Sequence, residues 1–128
     1  MKKFSKKLAS VVLMAAILFT SGGFISAGTT YEKYNVDIPR FGGSANTNNQ
    51  TKAKDNARAD LRVSTLGKAI DARVRATAGG TGNWVRVSTT GSYTMPNTVK
   101  KGNLTHIQFK NDLTRLVRVR VAGDWRSN

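Results

Sequence analysis

From Asp60 onward the chain alternates apolar and polar residues with a period of two, and it does so five times. Leu61 and Val63 alternate with Arg62 and Ser64, and Ile70, Ala72, Val74 and Ala76 with Asp71, Arg73 and Arg75. The pattern returns in Val85 and Val87 against Trp84, Arg86 and Ser88, in Ile107 and Phe109 against His106, Gln108 and Lys110, and in Val117, Val119 and Val121 against Arg118 and Arg120. Successive side chains of a strand point to opposite faces, so each run predicts a strand with one buried face. Turn formers separate the runs: Leu66-Gly67-Lys68, the stretch from Ala78 to Asn83, Pro96-Asn97, Lys101-Gly102-Asn103 and Asn111-Asp112. No segment carries a helical period.

Short strands at near-regular spacing, each with one apolar face, are best satisfied by two antiparallel sheets packed face to face. The expected fold is therefore an all-β, small antiparallel β-sandwich of five to seven strands over residues 59–128, with a partly closed barrel as the alternative because strand order is not encoded in the alternation. Upstream, Tyr34, Val36 and Ile38 share one side of an extended segment that Pro39 interrupts, which suits an edge strand over 31–41 or an N-terminal strap. Residues 42–58 (GGSANTNNQTKAKDNAR) hold no large apolar side chain. They are expected to form a long loop or flexible arm with nothing to bury.

The first residues follow a different logic. Lys2, Lys3, Lys6 and Lys7 precede the apolar run Leu8 to Phe19, and small residues follow to Ala27. Charged, apolar and small segments in that order predict a cleavable signal peptide over residues 1–27, with the cut at Ala27/Gly28 or, alternatively, Gly28/Thr29. The apolar run is well short of the roughly 20 residues that a spanning helix needs, and no later segment could cross a bilayer as a helix. The protein is thus expected outside the cell. Cysteine is absent, which removes disulfides, thiol nucleophiles and thiolate metal ligands.

The whole chain carries 21 Lys and Arg against 7 Asp and Glu, and loss of the four leader lysines would leave 17 against 7. Sending the apolar residues inward sends Arg62, Arg73, Arg75, Arg86, Arg118 and Arg120 outward, with Trp84 in the same parity as Arg86. Arginine holds a planar fork of donors that grips phosphate or carboxylate with two bonds, and tryptophan adds a stacking surface. These seven residues are the candidate polyanion-binding set. The plainer alternative is a solvated outer face, with Asp60, Asp71 and Asp124 pairing some of the arginines. Ten positive charges in excess would still remain, so weak attraction to any polyanion follows and does not by itself argue for a nucleic-acid role.

Little points to catalysis. His106 is the only histidine and Glu32 the only glutamate, the pair a small secreted ribonuclease would need, and no spacing brings them together. A triad could be drawn from His106, Asp112 and any serine, but no nucleophile-elbow motif accompanies it. Neither metal-ligand spacing nor a phosphate-binding loop is present, and the Gly79-Gly80-Thr81-Gly82 run reads as a hairpin loop. No enzyme activity, metal or cofactor is expected.

The leader KKLASVVLMAAILFTSGGF resembles those of small proteins exported by Gram-positive bacteria, and DNARADLRVS with GNWVRVS is similar to secreted proteins of unknown function from that group. In size and architecture the chain also resembles the lactococcin 972 class of bacteriocins, exported cysteine-free β-sandwich proteins that act on cell-wall precursors. These likenesses imply export and an envelope setting, and assign no residue a role. The leading expectation is a non-enzymatic secreted protein that binds an anionic cell-wall polymer through its arginines and is retained at the wall. The alternatives are a bacteriocin-like toxin acting on Gram-positive envelopes and an extracellular structural protein that self-associates through strand edges.

Overall fold

The computed structural model describes residues 26–78 and 80–128. The predicted leader lies outside the described residues except for its last two. Among the described residues ten strands follow one another: β1 (Ser26–Ala27), β2 (Glu32–Ile38), β3 (Ser44–Asn46), β4 (Gln50–Thr51), β5 (Ala59–Leu66), β6 (Ile70–Ala76), β7 (Val85–Val87), β8 (Gly91–Met95), β9 (Leu104–Lys110) and β10 (Val119–Arg126). They form two sheets. Sheet A has the order β1-β4-β9-β6-β7, with β3 also paired to β9, and sheet B the order β2-β10-β5-β8. The fold is a small β-sandwich of antiparallel sheets with no closed barrel, and the barrel alternative falls away.

The alternation dictates the core. Ile70, Ala72 and Val74 of β6, Ile107 and Phe109 of β9 and Val87 of β7 face Leu61 and Val63 of β5, Ile38 of β2, and Val119, Val121 and Trp125 of β10. Met95 and Val99 close one side, and the rings of Tyr34 and Phe109 meet at 5.2 Å between centroids. Each fully buried Val, Leu, Ile, Phe or Met side chain among them contributes about 1.5–3 kcal/mol on burial.

Two expectations about local structure are corrected. Residues 42–58, expected as a long loop or flexible arm with nothing to bury, bury Thr47, Gln50 and Lys52 and carry the short strands β3 and β4, which cover the edge of β9 with Ser44 opposite Lys110 and Gln50 opposite Thr105. The pairing skips between Asn46 and Gln50, and there the Thr47 hydroxyl accepts the Ile107 amide while the Thr47 amide donates to the Ile107 carbonyl. Hydrogen bonds rather than apolar burial hold this segment, which is why a search for large apolar residues passes over it. Val117, placed inward by parity, is 51 % exposed in the loop before β10. The strand begins at Val119 and runs instead to Arg126, burying Trp125.

A lace of polar groups ties the sheets together at the end where β10 finishes. The Gln50 amide donates from Nε2 to the Trp125 carbonyl (2.9 Å) and accepts the Ser127 amide at Oε1 (2.8 Å). Lys52, buried to 1 % exposure, donates from Nζ to the carbonyls of Ala57 and Ser127. The Asn128 amide donates to the Gly28 carbonyl, and the amides of Ala53 and Lys54 donate to Asn128 O. The pairing of β10 with β2 ends at Trp125 opposite Glu32, and past that point a side-chain amide continues the ladder in place of a backbone.

In sheet B, β5 carries one extra residue against β10: Gly123 faces Val63 and Ala122 faces Thr65, leaving Ser64 as a bulge whose hydroxyl donates to the Ala122 carbonyl. Gly123 is required beside it, because a Cβ there would lie 1.9 Å from the Arg62 carbonyl and 3.0 Å from the Tyr34 hydroxyl that donates to that same carbonyl.

Replacing Gln50 by Met keeps the volume and orphans a buried carbonyl and a buried N–H. Urea denaturation is expected to show a loss of about 2–4 kcal/mol.

Burial lowers the Lys52 ammonium from its usual range to about 8. The unfolded chain then holds one more proton than the folded one between pH 8 and the unfolded value near 10.5, so stability rises with pH across that window. Tyr34, pushed well above the usual phenol range by burial and by the Asp124 charge, opposes this only above pH 10. The unfolding free energy should therefore climb from pH 8 to 10, by about 2 kcal/mol, and Lys52→Met should flatten the climb.

Candidate polyanion-binding face

The seven predicted residues do not share one face. Arg73 and Arg75 on β6, Arg86 on β7 and Trp84 just before it belong to sheet A, whereas Arg62 on β5 and Arg120 on β10 belong to sheet B, which faces the other way. Arg118 is on neither sheet, being exposed in the loop before β10. Parity tells inside from outside along a strand but cannot say which of two outer faces a strand contributes to.

Sheet B neutralises itself. Arg62 grips Asp124 with two bonds of 2.6 Å each, Arg126 bonds Asp60 at 2.7 Å, and Arg120 reaches Asp37 at 3.3 Å. The pairing follows register, because Asp124 lies opposite Arg62, Arg126 opposite Asp60 and Arg120 opposite Asp37. Tyr31 lies beneath the first two arginines, its ring 3.5 Å from Arg62 Cζ and 4.6 Å from Arg126 Cζ. The hydrogen bond to Asp124 raises Arg62 further above its usual range. Beside the Ser64 bulge the small residues Gly91, Ser92, Ala122 and Gly123 leave an open depression of about 730 Å³, but the Arg62 and Asp124 charges on its wall are spent on each other.

Sheet A is different. Its outer surface is built from β9, β6 and β7 in register: Lys110 beside Asp71 beside Arg86, Gln108 beside Arg73, and His106 beside Arg75. Trp84, 39 % exposed, lies with Arg73 Cζ 4.3 Å and Lys110 Nζ 5.8 Å from its ring centre. The Arg73 Nε donates to Gln108 Oε1 at 2.9 Å, which fixes the guanidinium over the indole and leaves its terminal nitrogens without a carboxylate. Arg75 is exposed, and among the described residues neither it, Arg73 nor Lys110 makes an ion pair. Lys110 was legible as an outward residue of its strand, but nothing in the sequence set it beside Trp84, because that contact needs the order β9-β6-β7.

Arg86 bounds the face. It binds Asp112 through two bonds of 2.7 and 3.1 Å and approaches Asp71 at 3.4 Å, while Arg115 holds the same Asp112 at 2.7 Å and donates to the Ala69 carbonyl. These two guanidinium groups hold the Asp112 carboxyl far below the usual carboxylate range, and Asp112 in turn raises Arg86. All three acids expected to pair arginines do so: Asp60 with Arg126, Asp71 with Arg86 and Asp124 with Arg62.

His106 also lies on sheet A, where burial first and the Arg75 charge second lower its imidazole below the usual range. Glu32 opens β2 in sheet B, across the sandwich from it. Among the described residues no group of three or more His, Cys, Asp or Glu is placed to hold a metal ion.

No protein-family model, curated protein or solved structure matches the chain. The resemblances drawn from the leader and from the two sequence stretches rest on those residues alone.

Because Asp112 stays ionised in the fold well below the unfolded value near 3.8, its contribution is present above that pH and is lost as the pH falls from there through the lower folded value. The acid limb of a stability-versus-pH curve should be shallower for Asp112→Asn than for the parent protein, and the variant's stability at pH 7 should be lower.

Proposed function

We propose that this is a secreted, non-enzymatic protein that attaches to an anionic polymer of the bacterial envelope through the outer face of sheet A, with a polyphosphate of the teichoic-acid type as the natural ligand. The observation that carries this reading is Arg73 and Lys110 gathered on the exposed Trp84, with Arg75 next along the same face of β6: among the described residues three cations without a carboxylate partner, held at fixed spacing by a sheet. A repeating phosphate chain lying across β9, β6 and β7 would meet those charges in succession. Each guanidinium can take a phosphate in a two-bond grip. The indole gives the intervening sugar or polyol units a flat apolar surface, and its cation–π contacts hold the charges in place. Sheet B, with its arginines already paired, is the internal comparison.

The division between the faces makes the proposal testable at about 150 mM salt, where long-range attraction is largely screened. Retention of the folded protein on cell walls should depend on their anionic polymer. It should fall by about tenfold or more in the triple variant Arg73→Gln, Arg75→Gln, Lys110→Gln, in line with the loss of three charge contacts. The charge-matched triple variant Arg62→Gln, Arg120→Gln, Arg126→Gln, on the opposite sheet, should change it little. Equal losses from the two faces would mean that total charge alone drives retention, and the proposal would then fail.

A further inference from the structure

At the end of the sandwich opposite the polar lace, two loops expose apolar side chains that could have been buried. The loop between β9 and β10 presents Leu113 at 76 %, Leu116 at 68 % and Val117 at 51 % exposure, and the loop after β2 presents Phe41 at 56 %. They form one tip, because the Phe41 amide donates to the Arg115 carbonyl (2.9 Å), the Gly42 amide to the Asp112 carbonyl (3.0 Å), and Leu113 Cδ1 lies against Gly42, 3.2 Å from where a Cβ would stand. The tip is rigidly built. Asn111, buried to 1 % exposure, donates to the carbonyls of Pro39 and Val117 and accepts the Asp112 amide, and Asp112 is clamped by Arg86 and Arg115.

Phe41 has a backbone φ of 58°, a left-handed conformation that a bulky side chain adopts only at a cost. The fold therefore accepts strain to hold a phenyl ring out in water. Arg40 precedes Phe41 and Arg118 follows Val117 in these two loops, and Lys68 lies in the β5–β6 turn at the same end, which Arg115 holds through the Ala69 carbonyl; all three are exposed and, among the described residues, none makes an ion pair. Arg40 Cζ is 5.5 Å from the Phe41 ring. The acid nearest in the chain, Asp112, is already neutralised by its two arginines.

We propose that this tip is a docking site for an anionic phospholipid surface, with Phe41, Leu113 and Leu116 entering the headgroup and upper acyl region and Arg40, Lys68 and Arg118 contacting lipid phosphates. The choice of occupant rests on charge. A protein partner would have to supply both an apolar socket and an acidic rim, whereas an anionic bilayer offers apolar depth under a continuous negative surface, the same order as apolar apex and basic collar here. This surface uses none of Arg73, Arg75, Trp84 or Lys110, so it stands independently of the polymer-binding face.

The test is flotation of the purified protein with vesicles of phosphatidylglycerol and phosphatidylcholine, and of phosphatidylcholine alone, at about 150 mM salt. Binding to the anionic vesicles is expected, with loss of about tenfold or more in the double variant Leu113→Ser, Leu116→Ser. Those side chains are exposed, so the variant should keep the parent's thermal midpoint. The variant Arg73→Gln, Arg75→Gln should float like the parent. In a Trp84→Phe background, a tryptophan reporter introduced by Leu116→Trp should shift its emission to the blue on the anionic vesicles and not on the neutral ones. No flotation, flotation unaltered by Leu113→Ser, Leu116→Ser, or a dimer in size-exclusion chromatography that this double variant abolishes without any lipid binding would each overturn the proposal.

Discussion

The hydrogen bonds of a segment with no hydrophobic core of its own hold this sandwich closed. β9 is the strand against which sheet A is built, and its side away from β6 would be a row of unpaired backbone groups next to the core if residues 44–51 did not cover it. Such an edge is both costly when buried and a template for association. The cover is made from Ser, Ala, Asn, Thr and Gln, residues that bring little apolar area but many donors and acceptors, and it is pinned by Thr47 in the middle and by Gln50 and Lys52 at the end. Gln50 acts as a spare peptide group, offering a donor to Trp125 and an acceptor to Ser127 at the end of β10, where β2 no longer pairs with it.

That arrangement explains the unequal legibility of the chain. β5, β6, β7 and β9 could be read directly, because each sets β-branched or aliphatic residues against charged ones with strict alternation. β3 and β4 could not, since their reason for being strands lies in β9, some sixty residues away, rather than in themselves. β8 was passed over for a related reason: in Gly91-Ser-Tyr-Thr-Met only Met95 is fully buried, and the strand exists because β5 offers it an edge. Val117 failed in the opposite sense, opening an alternation that the backbone takes up only at Val119, because the buried side-chain amide of Asn111 holds the Val117 carbonyl in the loop. Periodicity reports what a strand does with its own side chains and is silent about who needs it as a partner.

The arginines carry the same lesson into function. Their outward parity was legible, and so was an excess of charge that seven acids could not cancel. How the acids are shared out was not. Asp37, Asp60 and Asp124 all fall on sheet B because they sit opposite Arg120, Arg126 and Arg62 in register, and register is a property of the paired strands rather than of any one of them. Sheet A keeps only Asp71 and, from the adjoining loop, Asp112, and Arg86 engages both. An even spread of charge along the sequence thereby becomes an uneven one in space, with one face locked in ion pairs of modest worth at the surface and the other left with cations fixed over an indole.

Asp112 and Arg86 mark the point at which the free face and the apolar tip meet, and this gives the two surfaces a common geometry. The same carboxylate that takes Arg86 out of the free set anchors the loop bearing Leu113, Leu116 and Val117. With the tip seated on a flat surface, the strands of the sandwich would stand up from it, since the tip lies at their ends, and the outer face of sheet A would be turned sideways, lined up along polymers that rise from that surface. A face and an apex on one rigid body need no hinge to act together. The polar lace, at the far end, would stay clear of both, so the part of the molecule that holds it folded is kept away from the parts that are free to bind.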